Sequence, residues 1–279
     1  MKKITIVLFC LLAVLAASAQ EFQGKAEYFS KTILKKKGGE SEIKSDEDAA
    51  FKVMVEEAMK KATEKKYILT FNKQESLYEE IEELEKPKVG DNGLSFSVKF
   101  SGPGKKYLNL KDKSKIVEDE IFGKEFLIVE PLEKLNWKLV NETKKIGDYS
   151  CYKAKVVVPV TEKQKQAYKD FLKKQEKKSS LFPMEEPKDR VITAWYTPEI
   201  PVSLGPINYW GLPGLILEIN EENMIILCSK VTLSNKETTK IKVPNTGKIV
   251  TQAEFDKTQK AKMDSLKDKD GNIIFTTTN

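Results

Sequence analysis

A chain of 279 residues with 48 lysines and arginines against 42 aspartates and glutamates is long enough for one large domain, and its net charge of +6 is too mild to mark a nucleic-acid binder. It holds no histidine, which excludes the Ser-His-Asp triad, the Cys-His dyad, histidine general bases and nearly every catalytic zinc or copper site. Arg190 is the only arginine, and proteins that read DNA or RNA rely on arginine for bidentate contacts, so no nucleic-acid partner is expected.

The first element is an address. Lys2 and Lys3 precede an apolar run from Ile4 to Ala16, and Ala17-Ser18-Ala19 supplies the small-x-small pattern of a signal peptidase site. Residues 1–19 therefore read as a signal peptide cleaved before Gln20. Cys10 lies in the middle of the apolar run rather than behind small residues at its end, so no lipid anchor is expected. The run is shorter than the roughly 20 residues a spanning helix needs. Loss of Lys2 and Lys3 lowers the net charge to about +4. The expected location is the periplasm or the exterior.

Residues 20–279 read as a single β-rich domain. Ala26–Lys31 and Tyr67–Phe71 are predicted strands, and between them Ser45, with Asp48 as its reciprocal partner, caps an amphipathic helix that turns Phe51, Met54, Val55, Ala58 and Ala62 to one side. The acidic run Glu79, Glu80, Glu82, Glu83 and Glu85 lacks the order of a calcium loop and reads as solvated. Leu94–Phe100 alternates strictly, as a strand with one dry face does. Further strands are predicted at Tyr107–Leu110, Ile116–Glu118, Glu125–Val129, Trp137–Glu142, Ser150–Val158, Val191–Tyr196, Leu215–Ile219, Met224–Ser229 and Val231–Leu233. The polar link Asn220–Asn223 makes Leu215–Ile219 and Met224–Cys228 a hairpin. Between strands, about 161–187 is a charged insertion. Its lysines at 163, 165, 169, 173, 174, 177 and 178 face only Ala167, Tyr168, Phe171 and Leu172 as an apolar edge, which predicts an exposed polar helix. Thr251 and Glu254 form a capping box for a last helix whose apolar side starts at Phe255. The fold class is mainly β (α+β): one large curved antiparallel sheet or half-barrel with a packed helix, a charged helical insertion and a C-terminal helix.

The densest information lies between Ala194 and Ile219. Trp195-Tyr196-Thr197-Pro198-Glu199-Ile200-Pro201 is followed by Gly205-Pro206 and then by Gly211-Leu212-Pro213-Gly214-Leu215-Ile216. Prolines fix φ and extend the residue before them, and Pro213-Gly214 suits the centre of a type II turn, which demands φ > 0 at Gly214. This pattern resembles the signature of the GLPGLI family of secreted bacterial proteins, and Ile146–Ala154, Val243-Pro244 and Thr251–Phe255 extend the likeness over roughly the second half of the chain. The family has no established biochemical function. The resemblance implies a Gram-negative cell envelope, with outer-membrane transport machinery as a candidate partner. At the level of fold alone, a helix on one curved sheet is similar to the half-barrel of bacterial lipoprotein carriers.

Several functional readings follow. The first is a non-catalytic binding protein that holds an apolar or lipid-like ligand, or a peptide, in a sheet groove closed by Trp195, Tyr196, Tyr209, Trp210 and Leu212. Against it stands the reading of those aromatics as core and loop anchors. The alternatives are an interaction partner of an outer-membrane protein without a small ligand and, more remotely, a carboxylate-dependent hydrolase. No catalytic residue, metal or cofactor is assigned. Cys151 and Cys228 either form a disulfide, which an oxidising compartment allows, or stand apart as buried thiols.

Overall fold

The computed structural model describes residues 22–33, 60, 63–81, 104–175, 186–234 and 240–266. The signal peptide, the helix expected after Ser45, the strand Leu94–Phe100 and the acidic residues Glu82, Glu83 and Glu85 lie outside them. The described residues are mostly strand: β1 (Gln23–Thr32), β2 (Glu64–Asn72), β3 (Glu75–Glu80), β4 (Lys106–Asn109), β5 (Ser114–Ile121), β6 (Lys124–Pro131), β7 (Lys138–Ile146), β8 (Tyr149–Val158), β9 (Arg190–Thr197), β10 (Leu215–Glu221), β11 (Met224–Ser234) and β12 (Lys248–Val250). Two helices join them, α1 (Glu162–Gln175) and α2 (Gln252–Ser265).

All twelve strands form one sheet, ordered β12-β6-β5-β4-β3-β2-β1-β11-β10-β9-β8-β7. Two meanders, β1 to β6 and β7 to β11, meet where β1 pairs antiparallel with β11. The exception to the antiparallel expectation is β12, which adds to β6 in parallel over three residues. Alternation decides the inner face: on β1, Ala26 and Tyr28 are buried while Lys25 and Lys31 are exposed.

The sheet is strongly curled, and chain length shows why. Strands β6 and β7 lie ten positions apart, about 48 Å if the sheet were flat. Residues 132–137, which join them, reach at most about 25 Å. The short link is compatible only with a sheet rolled into a partial barrel. Tyr28 of β1 donates a 2.7 Å hydrogen bond to the carbonyl of Ile216 on β10, from one meander to the other.

Some local readings change. Glu75–Glu80 is a strand, not merely a solvated acidic run, because Leu77 and Tyr78 enter the core while Glu80 reaches Lys65 at 2.9 Å. Met224–Ser234 is one continuous strand, with a bulge opposite Glu27/Tyr28 absorbing the expected break. The hairpin before it turns on Glu222-Asn223 alone, since Glu221 still pairs with Met224, and Glu222 takes φ 47°. The α2 capping box is present as expected, with Glu254 accepting from the Thr251 backbone N–H at 2.8 Å.

The Pro213-Gly214 turn is not type II. Gly214 lacks a positive φ; its N–H donates to the Leu212 carbonyl at 2.9 Å, a γ-turn around Pro213. Glycine is required here for space, because a Cβ would lie 2.2 Å from the Thr197 carbonyl oxygen. Backbone cannot give way as a side-chain tip can. Gly214→Ala is therefore expected to destabilise the protein by about 1–3 kcal/mol, read as a lowered chemical denaturation midpoint; an unchanged midpoint would contradict the close approach.

Candidate functional site

The segment between β9 and β10 is a compact plug, and its backbone bonds explain its path. Leu215 N–H donates to the Ile200 carbonyl at 3.0 Å, Ile216 N–H to that of Leu204 at 3.0 Å, and Gly211 N–H to that of Ser203 at 3.1 Å. The residues after Pro198 thus double back along the start of β10. Gly211 supplies the φ of 94° needed at that corner, and Gly205 lies so near Ile216 that a Cβ would come within 2.7 Å of its Cβ. Pro206, Leu215 and Ile216 are buried and Pro213 is exposed.

The aromatic residues expected to close over a ligand are placed otherwise. Tyr196, Tyr209 and Leu212 belong to the main core, with Leu212 1% exposed. Trp195 is 9% exposed; the Lys144 and Lys153 amines lie 4.4 and 5.5 Å from its ring centroid, and Lys144 is also paired with Glu218 at 2.6 Å. Trp210 is half-buried and fastens the plug. Its indole N–H donates to the Glu133 carbonyl at 3.0 Å, while the Trp137 indole N–H donates to the Trp210 carbonyl at 2.8 Å. These side chains build and anchor the loop, which is the second of the two roles weighed for them.

Cys151 and Cys228 are free and buried. They sit on β8 and β11 with β9 and β10 between them, so they are not neighbours in the sheet. Burial pushes the thiols up to about 11 and about 12 respectively, which keeps both protonated and unreactive at neutral pH.

A buried polar cluster locks the plug to the sheet. Glu221, 8% exposed at the end of β10, accepts hydrogen bonds from the Arg190 guanidinium of β9 and from the Tyr209 hydroxyl. Burial and then the Glu221 carboxylate hold the Tyr209 phenol well above its ordinary range, so it stays a donor. A single arginine in a lysine-rich chain was the sequence signal for this cluster, since a forked donor suits a buried carboxylate better than an ammonium does.

Beside the plug opens a groove of about 250 Å3, lined by Lys106 and Leu108 of β4, Lys115, Val117 and Asp119 of β5, Ile128 of β6, Ile207 and Asn208 of the plug, and Gln252 of α2. Register explains the floor: Lys106 faces Val117, Leu108 faces Lys115, and Val117 faces Ile128, so all share one side of the sheet. Phe255 holds α2 against the same strands through an edge contact with Phe126 at 5.5 Å. On the next strand Tyr78 and Ser76 stand opposite Lys106 and Leu108, and both buried hydroxyls find no partner among the described residues.

Two groove residues cost folding free energy. Ile207 is β-branched yet holds φ 57°, in a turn closed by the Tyr209 N–H to the Pro206 carbonyl at 3.1 Å. Burial pushes the Lys106 ammonium from 10.5 down to about 8, although Asp119 pulls the other way. The folded state therefore disfavours its protonated form. That penalty is fully present below about pH 8 and disappears as pH rises toward 10.5.

Among the described residues no helix is long and apolar enough to cross a membrane, and no group of acidic or cysteine side chains is arranged to hold a metal. Residues 137–218, which span β7, β8, α1, β9, the plug and the start of β10, match the model of a family described as "Protein of unknown function (Porph_ging)". Two solved structures, "Structure of PNGF-II in C2 space group" and "Structure of PNGF-II in P21 space group", are similar to it at 14% identity with TM-scores of 0.47 and 0.48. The likeness covers 87% of this chain but only 33% and 34% of theirs, so the chain spans about a third of their length. No curated protein matches it.

Removing members of the polar cluster should loosen the plug in a graded way. Tyr209→Phe is expected to cost about 1 kcal/mol. Glu221→Gln should cost about 2 kcal/mol, because Arg190 then loses its counter-charge, a penalty trimmed by that guanidinium's partial exposure. Urea denaturation of both variants tests the order, and equal midpoints for all three proteins would deny the cluster its structural role.

Proposed function

We propose that this chain is an exported, non-catalytic binding protein that holds an apolar, lipid-like ligand in the groove between β4 to β6, the plug and α2. The observation that carries this reading is the placement of Ile207, which holds a positive φ, and Lys106, whose charge is disfavoured by burial, on the lining of one cavity. Strain and unpaired buried charge persist where function uses them. Leu108, Val117, Ile128 and Ile207 supply an apolar lining, and Asn208 and Gln252 a polar mouth. At about 250 Å3 the groove falls just below the roughly 300–1,000 Å3 of drug-sized pockets, so it suits one short chain rather than a whole phospholipid.

The expectation of a groove closed by loop residues is kept, with Ile207 and Asn208 in place of Trp195, Tyr196, Tyr209, Trp210 and Leu212. Lack of a histidine and the two raised thiols support binding over catalysis. Export rests on the leader pattern and on the GLPGLI-like signature.

The neutral fluorophore N-phenyl-1-naphthylamine probes the groove without a charge of its own. Wild-type protein should take it up saturably. Ile207→Gly should weaken uptake about tenfold by removing one apolar wall, while relief of the positive φ offsets part of the packing that Ile207 loses against the core and keeps the stability read from the denaturation midpoint within about 2 kcal/mol of wild type. Absence of uptake, or equal uptake by the variant, would overturn the groove.

Export has its own readout. Protein recovered from the periplasm or medium of a Gram-negative host should begin at Gln20 by intact mass, and recovery only of chains starting at Met1 would refute the export step.

A further inference from the structure

We infer that the groove selects an aliphatic carboxylate, with Lys106 and Lys115 holding the anionic head and the apolar wall holding the chain. This rests on the groove being a ligand site.

The argument starts from unpaired charge. Neither lysine forms an ion pair or hydrogen bond among the described residues, although most lysines near the sheet's inner face would find one at little cost; Lys65, for example, reaches Glu80. Each stands half-buried opposite an apolar partner, Lys106 against Val117 and Lys115 against Leu108. As diagonal neighbours they stand about 7–8 Å apart or less, a span that one carboxylate bridges through two long side chains.

The nearby carboxylates take their hydrogen bonds elsewhere, although Asp119 still favours the charged form of Lys106. Asp119 accepts from the Glu120 backbone N–H at 2.8 Å, and Glu130, opposite Lys115, turns instead to the Gln252 backbone N–H at 2.7 Å. Glu80 is held by Lys65. Asp119 and Glu130 keep their charges beside the two lysines, so the site accommodates no more than a monoanion. At the start of α2 the Thr251, Gln252 and Glu254 N–H groups already donate to Glu254, Glu130 and Thr251. An ammonium in a partly dry groove gains most from a partner it can hydrogen-bond, and the Tyr78 hydroxyl on the neighbouring strand is a donor without a partner among the described residues.

Decanoate, 1-decanol and decylammonium share one chain and differ in the head alone, so displacement of N-phenyl-1-naphthylamine by each at pH 7 isolates the head's contribution. Decanoate should bind about tenfold more tightly than decanol, with decylammonium weakest. Its advantage should shrink between pH 7 and pH 9 as Lys106, pushed down to about 8, loses its proton, with decanol unaffected. Lys106→Met should lower the decanoate-to-decanol affinity ratio toward one, whatever its own fluorophore affinity, and its denaturation midpoint at pH 7 should equal or exceed that of wild type. Lys115→Gln gives the same comparison should Lys106→Met not fold. Equal binding of decanoate and decanol by protein that takes up the fluorophore overturns the carboxylate preference and leaves the groove standing. No fluorophore uptake overturns both.

Discussion

The chain between β6 and β7 is too short for a flat sheet, and the rest of the molecule is arranged around that fact. Six residues must join strands ten positions apart, so the sheet rolls, its inner face becomes a concave wall, and something must fill the space. The plug between β9 and β10 fills part of it. Trp137 and Trp210 bind the link and the plug to each other, each donating to a backbone carbonyl on the other side. An indole is suited to this work, with a broad apolar body for the interior and a single donor for one carbonyl.

Where the plug stops, the groove begins. Its neighbours are held by ordinary means, Phe255 on Phe126 and the capping box of α2 on one side, Arg190, Glu221 and Tyr209 on the other. The residues in between are not ordinary. A β-branched side chain at positive φ and an ammonium whose desolvation outweighs its neighbouring Asp119 both cost stability. They meet in one cavity that borders the closed core around Tyr28, to which the neighbouring Tyr78 belongs.

Much of the sheet was legible in the sequence, because period-two alternation survives wherever one face is wet. Ser150–Val158 and Val191–Tyr196 fall within strands, and Trp137–Glu142 does so from Lys138 onward, Trp137 itself ending the link. What stayed hidden depends on partners distant in sequence. Glu75–Glu80 looks like surface until Leu77 and Tyr78 have β2 and β4 beside them, and β12 is too short to show any period. Gly214 was recognised as indispensable, but its reason, contact with Thr197, is tertiary and not conformational. The aromatic run drew attention to the loop that folds into the plug, and the structure buries Trp195, Tyr196, Tyr209 and Leu212 in the core. Trp195, Tyr209 and Leu212 are conspicuous because cores need large residues, whereas Ile207 and Lys106 are common residue types made unusual only by φ and by burial.

The pairing of β1 with β11 has a temporal meaning. Gln23 meets Ser234 near the middle of the sheet, so a strand made among the first waits for one made nearly last. Until then the two meanders exist as separate ribbons, each with an open edge. Contacts of such long sequence separation form slowly and leave strand edges exposed meanwhile. A chain that seals late remains threadable along most of its length, a property that suits passage through a narrow pore before folding, and the same seam is where an interrupted chain would find strangers to pair with.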